Sequence, residues 1–523
     1  MKTAVKIALI ALLWISVITS GVLGVDTELR LQMAHAWWTG TEEVSTDMDL
    51  SFSVPGRGGE RYIFYEVGQS LLMLPSDWLG TQLHQWFPAI DSRELRLIVV
   101  SIATFIPLNV AAVVACFWLL RLFNFEKRIA GLASIVWLLG TTFLPYAQMP
   151  FQNNQVLLFA IIGYAAALAF VRSRQLRFAV LSGLAISTAP LIRLTSIIHV
   201  LTVLLFFVGC MAYQSRDKLK VIRSVGLWIV GFLPLALLGR AIDYIRYGGF
   251  WVSGQSLHSQ QQAPNSINYF VNPPHVGILG VLFSPAKSIF IYDPLLLPCL
   301  VLGIVLWKRL SPFIQWYLVT GLLNLSLHMV ITSRLAFWHG DAAWAARYHV
   351  TSVHLLLIPL VALFVQHLLS TRGITTWLMR GILTLAILVQ FASVAMPITL
   401  EVAQEQTSSS GSSPPFRLGT RLTNMACLIN SSFSTQCVEN LIVSPELEDS
   451  KKAELKDLNR INFLPFVIAQ KSVGRSGIAK IVPILFAVWG AILALAIWLT
   501  VKFCFVLTDF ASYGKKHRDR AQF

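Results

Sequence analysis

Gln152-Asn-Asn-Gln-Val-Leu-Leu-Phe-Ala-Ile-Ile-Gly-Tyr-Ala-Ala-Ala-Leu-Ala-Phe-Val171 runs straight into Arg172-Ser-Arg-Gln-Leu-Arg177. The first stretch carries no charge, and at 1.5 Å per residue a helix of that length crosses the roughly 30 Å of a bilayer's hydrocarbon core. The second stretch is basic, as a loop facing the cytoplasm is. Working outward, the same pattern recurs in about twelve apolar runs, near residues 5–25, 97–122, 128–146, 152–171, 176–192, 195–213, 222–240, 290–307, 313–333, 349–369, 375–397 and 478–506. Basic clusters fall at every second connection: Met1 to Lys6, Glu126 to Arg128, Arg172 to Arg177, Gln214 to Arg223, Lys308-Arg309, Thr371-Arg372 and Lys515 to Arg520. All seven land on one side, so both termini are expected to be cytoplasmic. The larger polar loops, 26–96, 241–289, 334–348 and 398–477, are then expected on the opposite face.

Composition agrees with a lipid-embedded chain. Of 523 residues, 55% are hydrophobic and 13% charged, against roughly 25% charged in a soluble domain. The formal charge of +15 does not point to nucleic acid, because no basic stripe interleaved with exposed aromatics lies outside the apolar runs. Six cysteines are too few for a disulfide scaffold. Cys116, Cys210, Cys299 and Cys504 fall in spans, whereas Cys427 and Cys437 share a polar loop and can bridge if it faces an oxidising compartment. The first run reads as an anchor; the alternative is a cleaved signal peptide with Lys2 and Lys6 as its flank and a site near Thr19-Ser20-Gly21. Ser408 to Pro415 reads as a flexible linker. The chain divides into a multi-span core at 1–397, a loop or small cap at 398–477, and a last span with a basic tail at 478–523.

Candidate chemistry gathers on the loop face. Asp26 and Glu28 follow the first run immediately. A carboxylate held at the bilayer rim can have its pKa raised and deprotonate a hydroxyl; the plainer reading is a solvated helix start, for which Asp-Thr is apt. Gly58 to Pro75 passes from a glycine-rich turn to an apolar helix too short to span, which fits a helix lying at the interface or a simple packing element. Arg193 and Arg347 sit at membrane depth, where a guanidinium is costly and needs a partner. Either can grip phosphate oxygens, or pair with a carboxylate such as Asp341, Asp26 or Glu28. Gly280 to Pro294 is apolar yet broken by two prolines, Lys287 and Asp293, so a re-entrant or broken segment is expected there. Lys287 is expected to reach the headgroups. No tight His, Cys or carboxylate cluster suggests a metal.

The order of these segments resembles the GT-C superfamily, polytopic glycosyltransferases that use polyprenyl-phosphate sugars, and in particular the bacterial relatives of protein mannosyltransferases. Asp26-Thr27-Glu28 is similar to the acidic motif of the family's first external loop, and Tyr65-Glu66-Val67-Gly68-Gln69-Ser70-Leu71-Leu72 to its continuation. Gly183 to Thr195, including Arg193, is similar to a glycine-led helix ending in Arg and a small residue. Leu282 to Pro285 with Tyr292-Asp293-Pro294, and Trp338-His339-Gly340 with Ala346-Arg347-Tyr348, resemble two further elements. Two departures stand out: Thr27 separates the acidic pair, leaving either carboxylate as the base, and Ala345-Ala346 stands where relatives have Gly-Pro.

This resemblance implies an all-α integral membrane bundle of about twelve helices with interfacial helices in the first external loop. It implies an inverting glycosyltransferase with no cofactor, whose donor is a polyprenyl-phosphate-linked sugar and whose acceptor hydroxyl is on a protein, lipid or glycan. The expected setting is a bacterial plasma membrane. Asp26 or Glu28 is implied as catalytic base, Arg193 and Arg347 as the donor-phosphate ligands, and Tyr65, Gln69, Trp338, His339 and Tyr348 as cavity wall. The alternative is a transporter or flippase of a lipid-linked sugar, which often shows repeated helix sets; none is visible in the sequence.

Overall fold

The structure is a computed structural model and describes residues 2–44, 50–88, 90–262, 270–407, 415–445, 447–472 and 479–518. The expected linker falls outside them except for Pro415, and so do Arg520 and the side chains of the rest of the basic tail. The described chain is helical apart from one short antiparallel hairpin, Ser53–Pro55 with Arg61–Ile63. Eight helices among the described residues are long and apolar enough to cross a membrane: Ser92–Leu122, Asn153–Ser173, Leu194–Gln214, Lys218–Tyr247, Pro312–Thr332, Val350–Ser370, Ile374–Ala395 and Val482–Val506. Each coincides with one expected run.

The remaining four expected runs are shorter or broken. The first is Lys2–Ile18, which packs on the last span: Trp14 Nε1 donates to Thr500 Oγ1 at 2.9 Å, and its Val17 carbonyl accepts from Trp489 Nε1 at 2.9 Å. Residues 128–146 divide into Lys127–Leu139 and Phe143–Gln148. The run 290–307 divides into Ile289–Tyr292 and Leu296–Val305, preceded by Pro274–Phe283, so the segment Gly280 to Pro294 is broken as expected. Leu176–Ile192 stays whole at 17 residues. It lies hard against Lys218–Tyr247, where Gly183 faces the Trp228 carbonyl and Gly231 the Val180 carbonyl so closely that a Cβ at either glycine would sit 2.0 Å from the opposing oxygen. Small residues bring membrane helices together in this way.

The two ends of the bundle differ in chemistry. At one end the basic connections gather: Arg172 Nη1 donates to Asn124 Oδ1 at 2.7 Å, its guanidinium lies 5.7 Å from the Phe313 ring, and Arg128 and Arg372 line one depression. At the other end sit the first loop, Arg193, residues 334–348 and the segment from 398 to 472. The helix Gly68–His84 of the first loop leaves Trp78 exposed, and the turn that follows it leaves Trp86 and Phe87 exposed, the aromatic belt of a membrane interface. The described residues between 398 and 472 include five short α-helices, Ile398–Thr407, Arg417–Cys427, Val438–Val443, Asp449–Asp457 and Leu464–Lys471, with Cys427 and Cys437 bonded and Arg421 buried against Glu401.

Candidate active site

Asp26 and Glu28 both lie in the first turn of the helix Val25–Thr39. At 100° per residue, positions two apart point about 200° from each other, so one helix cannot aim both at one cavity. Asp26 faces inward and Glu28 away, where Arg93 Nε meets Glu28 Oε1 at 2.6 Å. The intervening Thr27 is fully buried and donates to the Pro150 carbonyl at 3.0 Å. The departure from an adjacent acidic pair therefore has a structural consequence: Thr27 fastens the helix and fixes which carboxylate is presented.

Asp26 opens on a cavity of about 590 Å³ that also takes in Arg30, Tyr65, Glu66, Arg193, Arg347 and Tyr348. Tyr65 Oη donates to Asp26 Oδ1 at 2.8 Å, and Arg347 forms an ion pair with Oδ2. Arg30, one turn on, donates to the Asp26 carbonyl at 2.7 Å and lies 3.8 Å over the Tyr65 ring. Burial pushes the Asp26 carboxyl up, but the charges of Arg347 and Arg30 and the hydrogen bonds from Arg347 and Tyr65 outweigh it and hold the group at about 2. Burial likewise works against the Arg347 charge, and Asp26 more than compensates, so that guanidinium is held above its usual range.

Arg193 is placed differently. It caps Leu176–Ile192 in extended backbone, lies 5.2 Å from the Tyr348 ring, and has no carboxylate within ion-pair distance among the described residues. Burial, with Arg347 adding repulsion, brings it down to about 10. Arg193 and Arg347 thus flank Tyr348, one free to take an anion and the other already engaged. Glu66 adds a second carboxylate. It makes no ion pair among the described residues, and burial raises it against the opposing charge of Arg30.

The polar lead of the run Gln152 to Val171 holds these parts together. Gln152 donates to the Ile192 carbonyl at 3.0 Å, beside Arg193, and Asn153 donates to the Arg347 carbonyl at 2.8 Å. Gln69 Nε2 donates to the Pro150 carbonyl at 2.9 Å, which Thr27 also uses. Gln148, one helix earlier, donates to the carbonyls of Ile18, Val394 and Asn462. Buried amides need such partners, and here the partners are the segments that carry the site.

The chain is similar to two solved structures of ArnT from Cupriavidus metallidurans. With the form bound to undecaprenyl phosphate it shares 14% identity, over 98% of this chain and 77% of that chain, at a TM-score of 0.48. With the apo form it shares 13%, over 96% and 76%, at 0.43. No family model and no curated protein matches the chain.

Three expected wall residues lie elsewhere. Gln69 is wholly buried and serves the Pro150 junction. Trp338 packs its ring on Gly280, where a Cβ would come within 2.1 Å of it, and the His339 Nδ1 accepts from the Asp341 amide at 3.1 Å. Both shape the loop that carries Arg347 and stay off the cavity wall. Tyr65 and Tyr348 do line it. Lys287, expected at the headgroups, is fully buried and donates to the carbonyls of Asp341 at 2.8 Å and Ala343 at 2.6 Å, because the broken segment folds beneath that loop. Ala345 takes φ +57°, the left-handed conformation that glycine adopts at least cost. Among the described residues no group of three or more His, Cys, Asp or Glu is placed to hold a metal.

The sequence reading missed Arg30, Glu66 and the amide run. Glu66 stood inside a quoted motif, and four consecutive amides, Gln152 to Gln155, leading an apolar span were the available signal.

Proposed function

We propose that this chain is an inverting glycosyltransferase of the GT-C type, moving a sugar from a polyprenyl-phosphate donor to an acceptor hydroxyl at the extracytoplasmic face of a bacterial plasma membrane, with both termini cytoplasmic. The observation that carries the reading is the cavity itself, which presents a carboxylate fixed by Tyr65 and Arg347 and, beside it, Arg193, a cation with no ion pair among the described residues. The bonded Cys427 and Cys437 at the same end of the bundle support an oxidising side.

In the proposed reaction the donor phosphate enters between Arg193 and Arg347, its tail running out among apolar helices. A carboxylate held at about 2 is a weak base, so Asp26 must loosen from Arg347 to act. The phosphate supplies the cause, because it competes for the same guanidinium fork. Asp26 then accepts the proton of the acceptor hydroxyl as that oxygen attacks the anomeric carbon from the face opposite the phosphate. The carbon–oxygen bond to phosphate breaks, its electron pair leaves with polyprenyl phosphate, and the anomeric configuration inverts. Charge growing on the departing phosphate meets two guanidiniums already in place; a preorganised donor of this kind contributes roughly 3–4 kcal/mol to a barrier.

The test reconstitutes the chain in liposomes with radiolabelled polyprenyl-phosphate sugars and a membrane extract as acceptor source. Label in a non-lipid or new lipid product, with the anomer inverted by NMR, is the expected result. Movement of intact lipid across the bilayer without transfer would contradict it and favour a flippase.

A further inference from the structure

The transfer chemistry leaves one wall of the cavity unused. The helix Gly254–Gln262 lies within a stretch expected to be loop, and it turns Gln255, His258 and Ser259 toward the cavity. The His258 ring stacks on Phe64 at 3.9 Å and 16°, and its Nε2 lies 3.0 Å from the Ser51 carbonyl. Phe64 in turn lies 4.4 Å from Tyr65. Arg246 holds this region rigid by donating to Glu43 Oε2 and the Ile63 carbonyl, each at 2.7 Å, which locks the hairpin leading into Tyr65 and Glu66. Glu66, next in the chain, offers its carboxylate to the same space with no ion pair among the described residues. Hydrogen-bond acceptors beside an aromatic platform suit a ligand with hydroxyls on its edge and C–H groups on its face. A carboxylate there also disfavours a second phosphate next to the first.

We propose that Glu66, together with Gln255, Ser259 and the Phe64–His258 stack, forms the subsite for the donor's sugar ring. The inference rests on the glycosyltransferase reading. The ring lies against the aromatic pair, two of its hydroxyls donate to the Glu66 carboxylate, and the arginines keep the phosphate. Recognition of the sugar is thereby separated from recognition of the phosphate along the length of the cavity.

The experiment measures binding of undecaprenyl phosphate mannose, undecaprenyl phosphate glucose and bare undecaprenyl phosphate to the full chain in nanodiscs. Wild type is expected to bind at least one sugar-bearing lipid about tenfold or more tighter than the bare lipid, the scale of one or two good hydrogen bonds. Glu66→Gln and Gln255→Ala are each expected to shrink that gap while leaving the bare lipid unchanged, and Arg193→Gln to weaken all three lipids alike. Thermal stability equal to wild type separates this from a folding defect, and Glu66→Asp serves as the conservative variant if Glu66→Gln is unstable. The subsite is overturned if Glu66→Gln weakens bare and sugar-bearing lipids equally, if it weakens neither, or if wild type binds no sugar-bearing lipid tighter than the bare one. A wild type that binds no lipid phosphate at all overturns the transferase reading instead.

Discussion

Arg193 and Arg347 face the same cavity from two regions built on opposite plans. The Arg193 turn is spare: a helix end, an extended residue, a ring 5.2 Å away and, beyond its own backbone bonds, a side-chain bond from Gln152 to the neighbouring carbonyl. The Arg347 loop is held at nearly every residue. Lys287 takes the carbonyls of Asp341 and Ala343, Tyr146 donates to that of Trp344 at 2.7 Å, Asn153 takes that of Arg347, and Arg421 lies 4.9 Å over the Trp344 ring. The guanidinium itself is stacked 4.4 Å from Phe151 and ion-paired to Asp26. The free cation serves capture, and the held one is coupled to the base. A ligand that competes for Arg347 changes the basicity of Asp26, which no ligand on Arg193 alone does.

That contrast can be broken from either side. Arg347→Gln is expected to have the largest effect, a fall of roughly 10²–10³ in kcat, the cost of one preorganised charge stabiliser. With the guanidinium gone, burial dominates at Asp26 and its pKa rises above about 2. A base works only when deprotonated, so the residual activity should decline on the acid side at a higher pH than in wild type, as a pH–rate profile would show. Arg193→Gln should instead raise the KM for donor about tenfold or more with a smaller change in kcat, read from initial rates at varied donor. Lys287→Met keeps the volume but releases two carbonyls, each held by a hydrogen bond from the Lys287 amine, and the loosened loop should lower kcat several-fold with donor binding retained. Ala345→Gly relieves a left-handed alanine that costs about 1 kcal/mol and should raise the melting temperature slightly with activity unchanged. An Arg193 variant behaving like an Arg347 variant in its pH profile would erase the distinction between the two regions.

Much of the fold was legible because hydrocarbon thickness imposes a length on each apolar run, and the eight long helices satisfy that length directly. The break near Asp293-Pro294 was legible from its prolines and charges, whereas the run at 128–146 was legible as apolar but not as broken at Gly140 to Thr142, since hydropathy does not register where the backbone turns. In the site, the motif residues Asp26, Tyr65, Arg193, Arg347 and Tyr348 come together. Glu28 stays out for a reason the sequence contains, the rotation of two residues along a helix, though knowing which of the pair faces inward needed the Thr27 contact. Trp338, His339 and Gln69 were mistaken for wall because a motif marks what a site requires without distinguishing contact from support. The helix Gly254–Gln262 was not legible at all: Gly-Gln-Ser-Leu-His-Ser-Gln-Gln-Gln has little apolar periodicity, and its place depends on Phe64 and Ser51, about two hundred residues earlier in the chain.

The most direct test of the account sets Asp26→Asn beside Glu28→Gln, measuring the single-turnover transfer rate from a radiolabelled polyprenyl-phosphate sugar together with donor affinity. The account predicts that Asp26→Asn loses about a thousandfold or more in rate while still binding donor, and that Glu28→Gln stays within about twofold of wild type, as expected for an outward carboxylate paired with an exposed arginine. Full transfer by Asp26→Asn, or a collapse of transfer in Glu28→Gln alone, would contradict it.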